Sequence, residues 1–133
     1  MDHKVCIPIV LILCLASCGG NTNTGGIELN NGEKWKVNVE MMPPITRSQL
    51  LVSEFVANHE KDFKTLADQL SENNRLLISS CTMKGRSHEE LHKWLLPYMA
   101  LVDELASAND AIEANQVLRK IEQSFETFGQ YFY

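Results

Sequence analysis

From Thr46 to the C-terminus, apolar residues recur at steps of three and four, the spacing of one face of an α-helix. The first stripe is Val52, Phe55, Val56, His59, Phe63, Leu66, Leu70 and Leu77. A single helix over 46–80 would carry it. The polar run Asn58-His59-Glu60-Lys61-Asp62 argues instead for a break near Asn58 and a restart with Asp62 as N-cap. Two helices bury their faces more evenly, and we favour that reading, with Thr46 capping the first. Gly85 is placed to end the helix that follows, and Ser87 with Glu90 three residues on predicts a capping box opening the next. Leu91, Trp94, Leu95, Tyr98, Leu101, Val102 and Leu105 form its inward face, with Pro97 expected to kink it. A last helix opens at Asp110, with Glu113 as its partner, and buries Val117, Leu118, Ile121, Phe125, Phe128 and Phe132. Short connections make sequential helices antiparallel. The expected fold is all-α: an antiparallel bundle of four helices over 44–133, or three if the first two are fused.

The N-terminal third has a different pattern. Val5 to Ala16 is almost wholly apolar, follows Lys4, and is too short to span a bilayer. It ends in Leu15-Ala16-Ser17-Cys18-Gly19, which resembles the bacterial lipobox. Residues 1–17 are therefore expected to be a lipoprotein signal peptide and Cys18 the lipidated residue, anchoring the chain to the cell envelope, periplasm-facing, with the outer membrane mildly preferred. An ordinary signal peptide cut at a small residue is the alternative. Residues 18–43 then form a tether and an extended segment. Gly19 to Gly26 is rich in Gly, Asn and Thr, a flexible composition. Asn31-Gly32 could close a hairpin, but a lone hairpin is marginal, and we expect an extended stretch laying Trp35 and Val37 onto the helices. Met41-Met42 reads as a hydrophobic lead-in to Pro43-Pro44.

This processing changes the cysteine arithmetic. Cys6 and Cys14 leave with the signal and Cys18 carries lipid, so Cys81 remains alone in an oxidising compartment. It is buried, metal-bound or used in exchange chemistry. Around it, Cys81, Met83, His88 and His92 put a thiol, a thioether and two imidazoles into one helix-to-helix corner. His88 and His92 are one turn apart on one helix face. The set suits copper; Zn²⁺ would take Cys and two His with water. It also matches the ligands of blue-copper centres, without their β-sandwich. Each member has a plainer reading as well: a solvated His88, a half-buried His92, a gap-filling Met83 and a buried Cys81. His59, alone on the first stripe, reads as a packed histidine.

The remaining chemistry is thin. The net charge is −5 and the basic residues do not cluster, which argues against nucleic acid. No Cys-x-x-Cys-His haem signature, glycine-rich phosphate loop or catalytic triad pattern occurs, so no enzymatic activity is expected. Non-covalent haem held by His92 with Met83 or His88 is a third idea. Trp35, Trp94, Tyr98 and the terminal group Phe128, Tyr131, Phe132 and Tyr133 read as core or as an exposed patch for a protein partner.

The run Leu76-Leu77-Ile78-Ser79-Ser80-Cys81-Thr82-Met83-Lys84-Gly85, with His88, Leu91-His92, Trp94-Leu95 and Pro97, resembles a group of small, largely uncharacterised bacterial lipoproteins. The resemblance extends to the lipobox and to Asn31 through Val37. It implies lipid anchoring and an intact helical domain, and it carries no biochemical role. The leading expectation is a lipid-anchored bundle binding copper for chaperoning, buffering or sensing. The alternative is a metal-free structural or protein-interaction module with Cys81 simply buried.

Overall fold

Pro43 and Pro44 set where the helices begin. Proline fits the first helical turn, where its missing N–H would have had no partner. In the computed structural model, which describes residues 26–133, helix α1 spans Met42–Ala57 and carries both prolines in that turn. A short 3₁₀ helix, Val39–Met41, leads directly into it. Thr46 is therefore inside α1 and not its cap. The predicted signal peptide 1–17, the lipidation residue Cys18 and the tether to residue 25 lie outside the described residues.

Helix α1 stops at the polar run, and the stop has a defined geometry. Glu60 N–H donates to the Phe55 carbonyl at 3.0 Å and His59 N–H to the Val56 carbonyl at 3.1 Å. This pair is a Schellman motif, and His59 occupies its left-handed position at φ 53°. His59 is exposed, so the expectation of a packed histidine is corrected: the residue terminates a helix. Val56, on the same expected stripe, is also exposed. Helix α2, Phe63–Ser80, then starts on Asp62, whose carboxylate accepts from Thr65 N–H at 3.0 Å. The chain thus uses two helices here.

Cys81 caps the C-terminus of α2 in an extended conformation. Helix α3 runs from Gly85 to Ser107 and continues through Pro97. Its start corrects two expectations. Gly85, at φ +66°, opens α3 instead of closing α2. The N-cap is Lys84, so Ser87 and Glu90 form no capping box; the Ser87 hydroxyl donates to the Lys84 carbonyl at 3.2 Å. Helix α4, Ala111–Tyr131, begins as expected, with the Asp110 carboxylate accepting from Glu113 N–H at 2.8 Å. Glu113 in turn accepts from Asn109 N–H, one residue before the cap.

The four helices form a helical bundle in which each packs on the next and α1 also meets α4. No helix among the described residues is long and apolar enough to cross a membrane. The inward faces match their periodicity: Leu66, Leu70 and Leu77 from α2, Leu91, Trp94, Leu95, Tyr98, Val102 and Leu105 from α3, and the full α4 stripe are buried. Leu101 is half-buried. An aromatic cluster fills the α3–α4 seam. Trp94 stacks on Tyr98 with ring centroids 5.2 Å apart and meets Phe128 at 4.8 Å, while its indole N–H donates to the Ser124 carbonyl at 2.7 Å.

The extended N-terminal segment belongs to the same core. Asn31 and Gly32 both take positive φ, 53° and 90°, and close a two-residue turn between Asn30 and Glu33. Beyond it, Trp35 N–H donates to the Tyr131 carbonyl and Val37 N–H to the Tyr133 carbonyl, a parallel pairing with the end of α4. This register turns Trp35 and Val37 inward, where both are buried. Met41 is fully buried, which bears out its reading as a hydrophobic lead-in.

Candidate metal centre

The corner between α2 and α3 is built by a residue far upstream. The Asn38 amide donates to the Ser80 carbonyl at 3.0 Å and accepts from Thr82 N–H at 3.2 Å. One side chain thus holds the backbone on both sides of Cys81. Cys81 and Met83 are half-buried and pack against the hydrophobic core. Nothing in the local sequence marks Asn38 for this role.

His88 is half-buried and His92 exposed. Their rings meet edge to face, with centroids 4.2 Å apart, so one turn of helix does bring the two imidazoles together. Two neutral imidazoles in this register can chelate one borderline ion. The pair also brackets His88-Glu89-Glu90-Leu91-His92, the H-E-x-x-H spacing in which two histidines hold zinc and the glutamate activates water. That spacing is visible in the sequence as a unit and not in its ligands taken singly, and it adds Glu89 to the candidate residues. Glu89 is exposed. Among the described residues no three His, Cys, Asp or Glu side chains are grouped so as to hold a metal ion. The structure therefore pairs His88 with His92 and does not gather Cys81 with both. The donor types fit a soft or borderline ion, and the sulfur donors at this corner face the core.

The other flank of α3 binds the N-terminal segment. Arg86, Glu90 and Lys93 lie about half a turn around the helix from the histidines. Arg86 pairs with Glu28, and Lys93 donates to the Gly26 carbonyl at 3.1 Å. Glu90 is buried; its carboxylate accepts from Glu28 N–H and from the Lys93 ammonium, each at 2.9 Å. Burial pushes this carboxyl up, but the Lys93 ammonium, the Glu28 N–H and the Arg86 charge outweigh it, and the pKa falls below the ordinary value.

A second polar group sits between the helices. The Tyr98 hydroxyl is pushed up to about 12 by burial, with Ser48 pulling weakly the other way. Ser48 is near it without completing a well-formed hydrogen bond, and instead accepts from the Asn73 amide at 3.2 Å.

The arrangement defines a small helical bundle with a paired-imidazole corner. No protein-family model matches the chain, and no curated protein or solved structure is significantly similar to it.

Proposed function

We propose that the chain is a lipid-anchored helical-bundle protein of the bacterial envelope that holds a soft transition-metal ion, copper, at the α2–α3 corner. Its task is chaperoning, buffering or sensing. The observation that carries this reading is the adjacency of the His88 and His92 rings. These two supply the first donors. Cys81 and Met83, at the same corner, are the sulfur donors, and they join the ion by turning away from the core. Anchoring through Cys18 rests on the lipobox-like run Leu15-Ala16-Ser17-Cys18.

The test is a titration of the reduced full chain, in detergent, with Cu(I) and with Cu(II). Stoichiometric binding lost in the Cys81→Ser/His92→Ala double variant supports the assignment. Binding that persists in that variant places the metal elsewhere.

One observation favours a second reading. Cys81 and Met83 pack against the core, as ordinary structural side chains do. On that reading the bundle is a metal-free module that docks a protein partner through exposed apolar side chains such as Tyr133. Thiol reactivity of the folded protein separates the two. A buried structural thiol reacts equally slowly with and without a copper chelator, whereas a ligand thiol becomes reactive when copper is stripped.

A further inference from the structure

Both sulfur atoms of the candidate donor set ride on the short loop from Cys81 to Lys84, between the end of α2 at Ser80 and the start of α3 at Gly85. Its local polar contacts are long: Cys81 N–H reaches the Ile78 carbonyl at 3.3 Å, and the Lys84 carbonyl accepts from the Ser87 hydroxyl at 3.2 Å. Among the described residues, the polar tie that reaches this loop from outside the α2–α3 hairpin is the Asn38 side chain. The Asn38 amide nitrogen donates to the Ser80 carbonyl and also to the Glu40 carboxylate, at 3.0 and 2.9 Å, while the amide oxygen accepts from Thr82 N–H at 3.2 Å. Donor and acceptor are both engaged, which fixes the orientation of the amide.

The clasp holds the loop where the metal does not want it. Cys81 and Met83 pack against the core, and no three His, Cys, Asp or Glu side chains among the described residues are grouped to hold an ion. Joining Cys81 to both imidazoles therefore takes a shift of the loop toward the histidine face of α3. The backbone groups that flank Cys81 are the two that Asn38 holds. A contact made in one of two loop positions favours that position by its own net strength.

We propose that Asn38 and the metal compete for the loop: the clasp keeps the sulfur donors on the core, and loading of Cu(I) onto Cys81, His88 and His92 releases it. This rests on the copper reading of the corner and adds its regulation. The competition is reciprocal, so the factor by which the clasp weakens metal binding is the factor by which bound metal weakens the clasp. Two neutral hydrogen bonds of ordinary net strength make that factor about tenfold. Occupancy of the corner is thereby passed to the segment before α1. Val37, next to Asn38, is buried and its N–H donates to the Tyr133 carbonyl at 2.9 Å, part of the pairing that seats the segment on the end of α4.

The test uses the reduced, isotope-labelled full chain in detergent, titrated with Cu(I), whose closed shell keeps NMR spectra sharp. The Asn38 side-chain amide resonances are expected to shift in step with metal occupancy, and the Val37 amide to exchange several-fold faster in the loaded protein. Asn38→Ala is expected to bind Cu(I) about tenfold more tightly than wild type. A merely structural asparagine would leave the affinity unchanged or, by loosening the fold, lower it. Cu(I) binding that is absent, or that survives in the Cys81→Ser/His92→Ala double variant, overturns the site and the competition together. Binding that the double variant loses, with the Asn38 resonances unmoved or the Asn38→Ala affinity no higher than wild type, overturns the competition alone.

Discussion

Glu90 offers the sharpest stability test. Its carboxylate is buried on α3 and accepts from the Glu28 N–H and the Lys93 ammonium. Glu90→Ala deletes both bonds and leaves the Glu28 N–H without its partner. Hydrogen bonds to a charged group contribute about 1.5–3 kcal/mol each, but Lys93 is partly exposed and regains water, so the expected cost is about 2–3 kcal/mol at neutral pH. In a domain of roughly 100 residues that lowers the melting temperature by about 10 °C. Glu90→Gln keeps a neutral acceptor for Glu28 and is expected to cost roughly half as much. The pH dependence follows from the lowered pKa. In the folded protein Glu90 holds its charge below the ordinary value of 4.5, where the unfolded chain already takes up protons. Its electrostatic contribution is therefore complete above that value and is lost as pH falls through the folded pKa. Urea denaturation of wild type and Glu90→Ala at pH 7 and pH 3 measures this. The reasoning fails if the stability gap is as wide at pH 3 as at pH 7.

Three other substitutions probe separate parts of the fold. His59→Gly relieves a left-handed backbone position and is expected to stabilise the chain by about 0.5–1 kcal/mol, read as a higher urea midpoint with unchanged slope. Asn38→Ala removes both bonds that flank Cys81; a loss of about 1–2 kcal/mol and a several-fold faster reaction of Cys81 with a disulfide reagent are expected. An unchanged thiol rate would show that Asn38 does not govern the loop. Trp94→Ala empties the centre of the aromatic cluster and is expected to cost about 3–5 kcal/mol in denaturant unfolding.

What the sequence disclosed and what it hid divide along contact distance in the chain. Helix faces and the caps at Asp62 and Asp110 follow from residues within a turn of one another, and periodicity exposes them. The imidazole pairing of His88 and His92 is of the same kind. The spacing of Glu90 from Ser87 matches a capping box, while its true partner, Glu28, lies 62 positions away. Asn38 reaches Ser80 and Thr82 across separations of 42 and 44, beyond any local pattern. His59 falls on an apolar period, yet Asn58 and Glu60 around it make the turn, and the Schellman bonds decide its backbone in favour of the break.

The same long-range contacts determine how the site is joined to the rest of the molecule. The segment that leaves the predicted lipid tether enters the fold at Gly26 to Glu28, and what it grips is the first three turns of α3 through Arg86, Glu90 and Lys93. The histidines occupy the other flank of those turns. Farther along, the segment reaches Asn38 and clasps the loop around Cys81. One upstream segment therefore holds the loop that carries the sulfur donors, and it also grips α3 on the flank opposite the histidines. Its own place depends on Trp35 and Val37 being buried and on their pairing with the end of α4. Loosening that pairing should disturb the corner before it opens the bundle, because the helix–helix core of Leu70, Leu91 and Ile121 lies fully buried and is built from other residues.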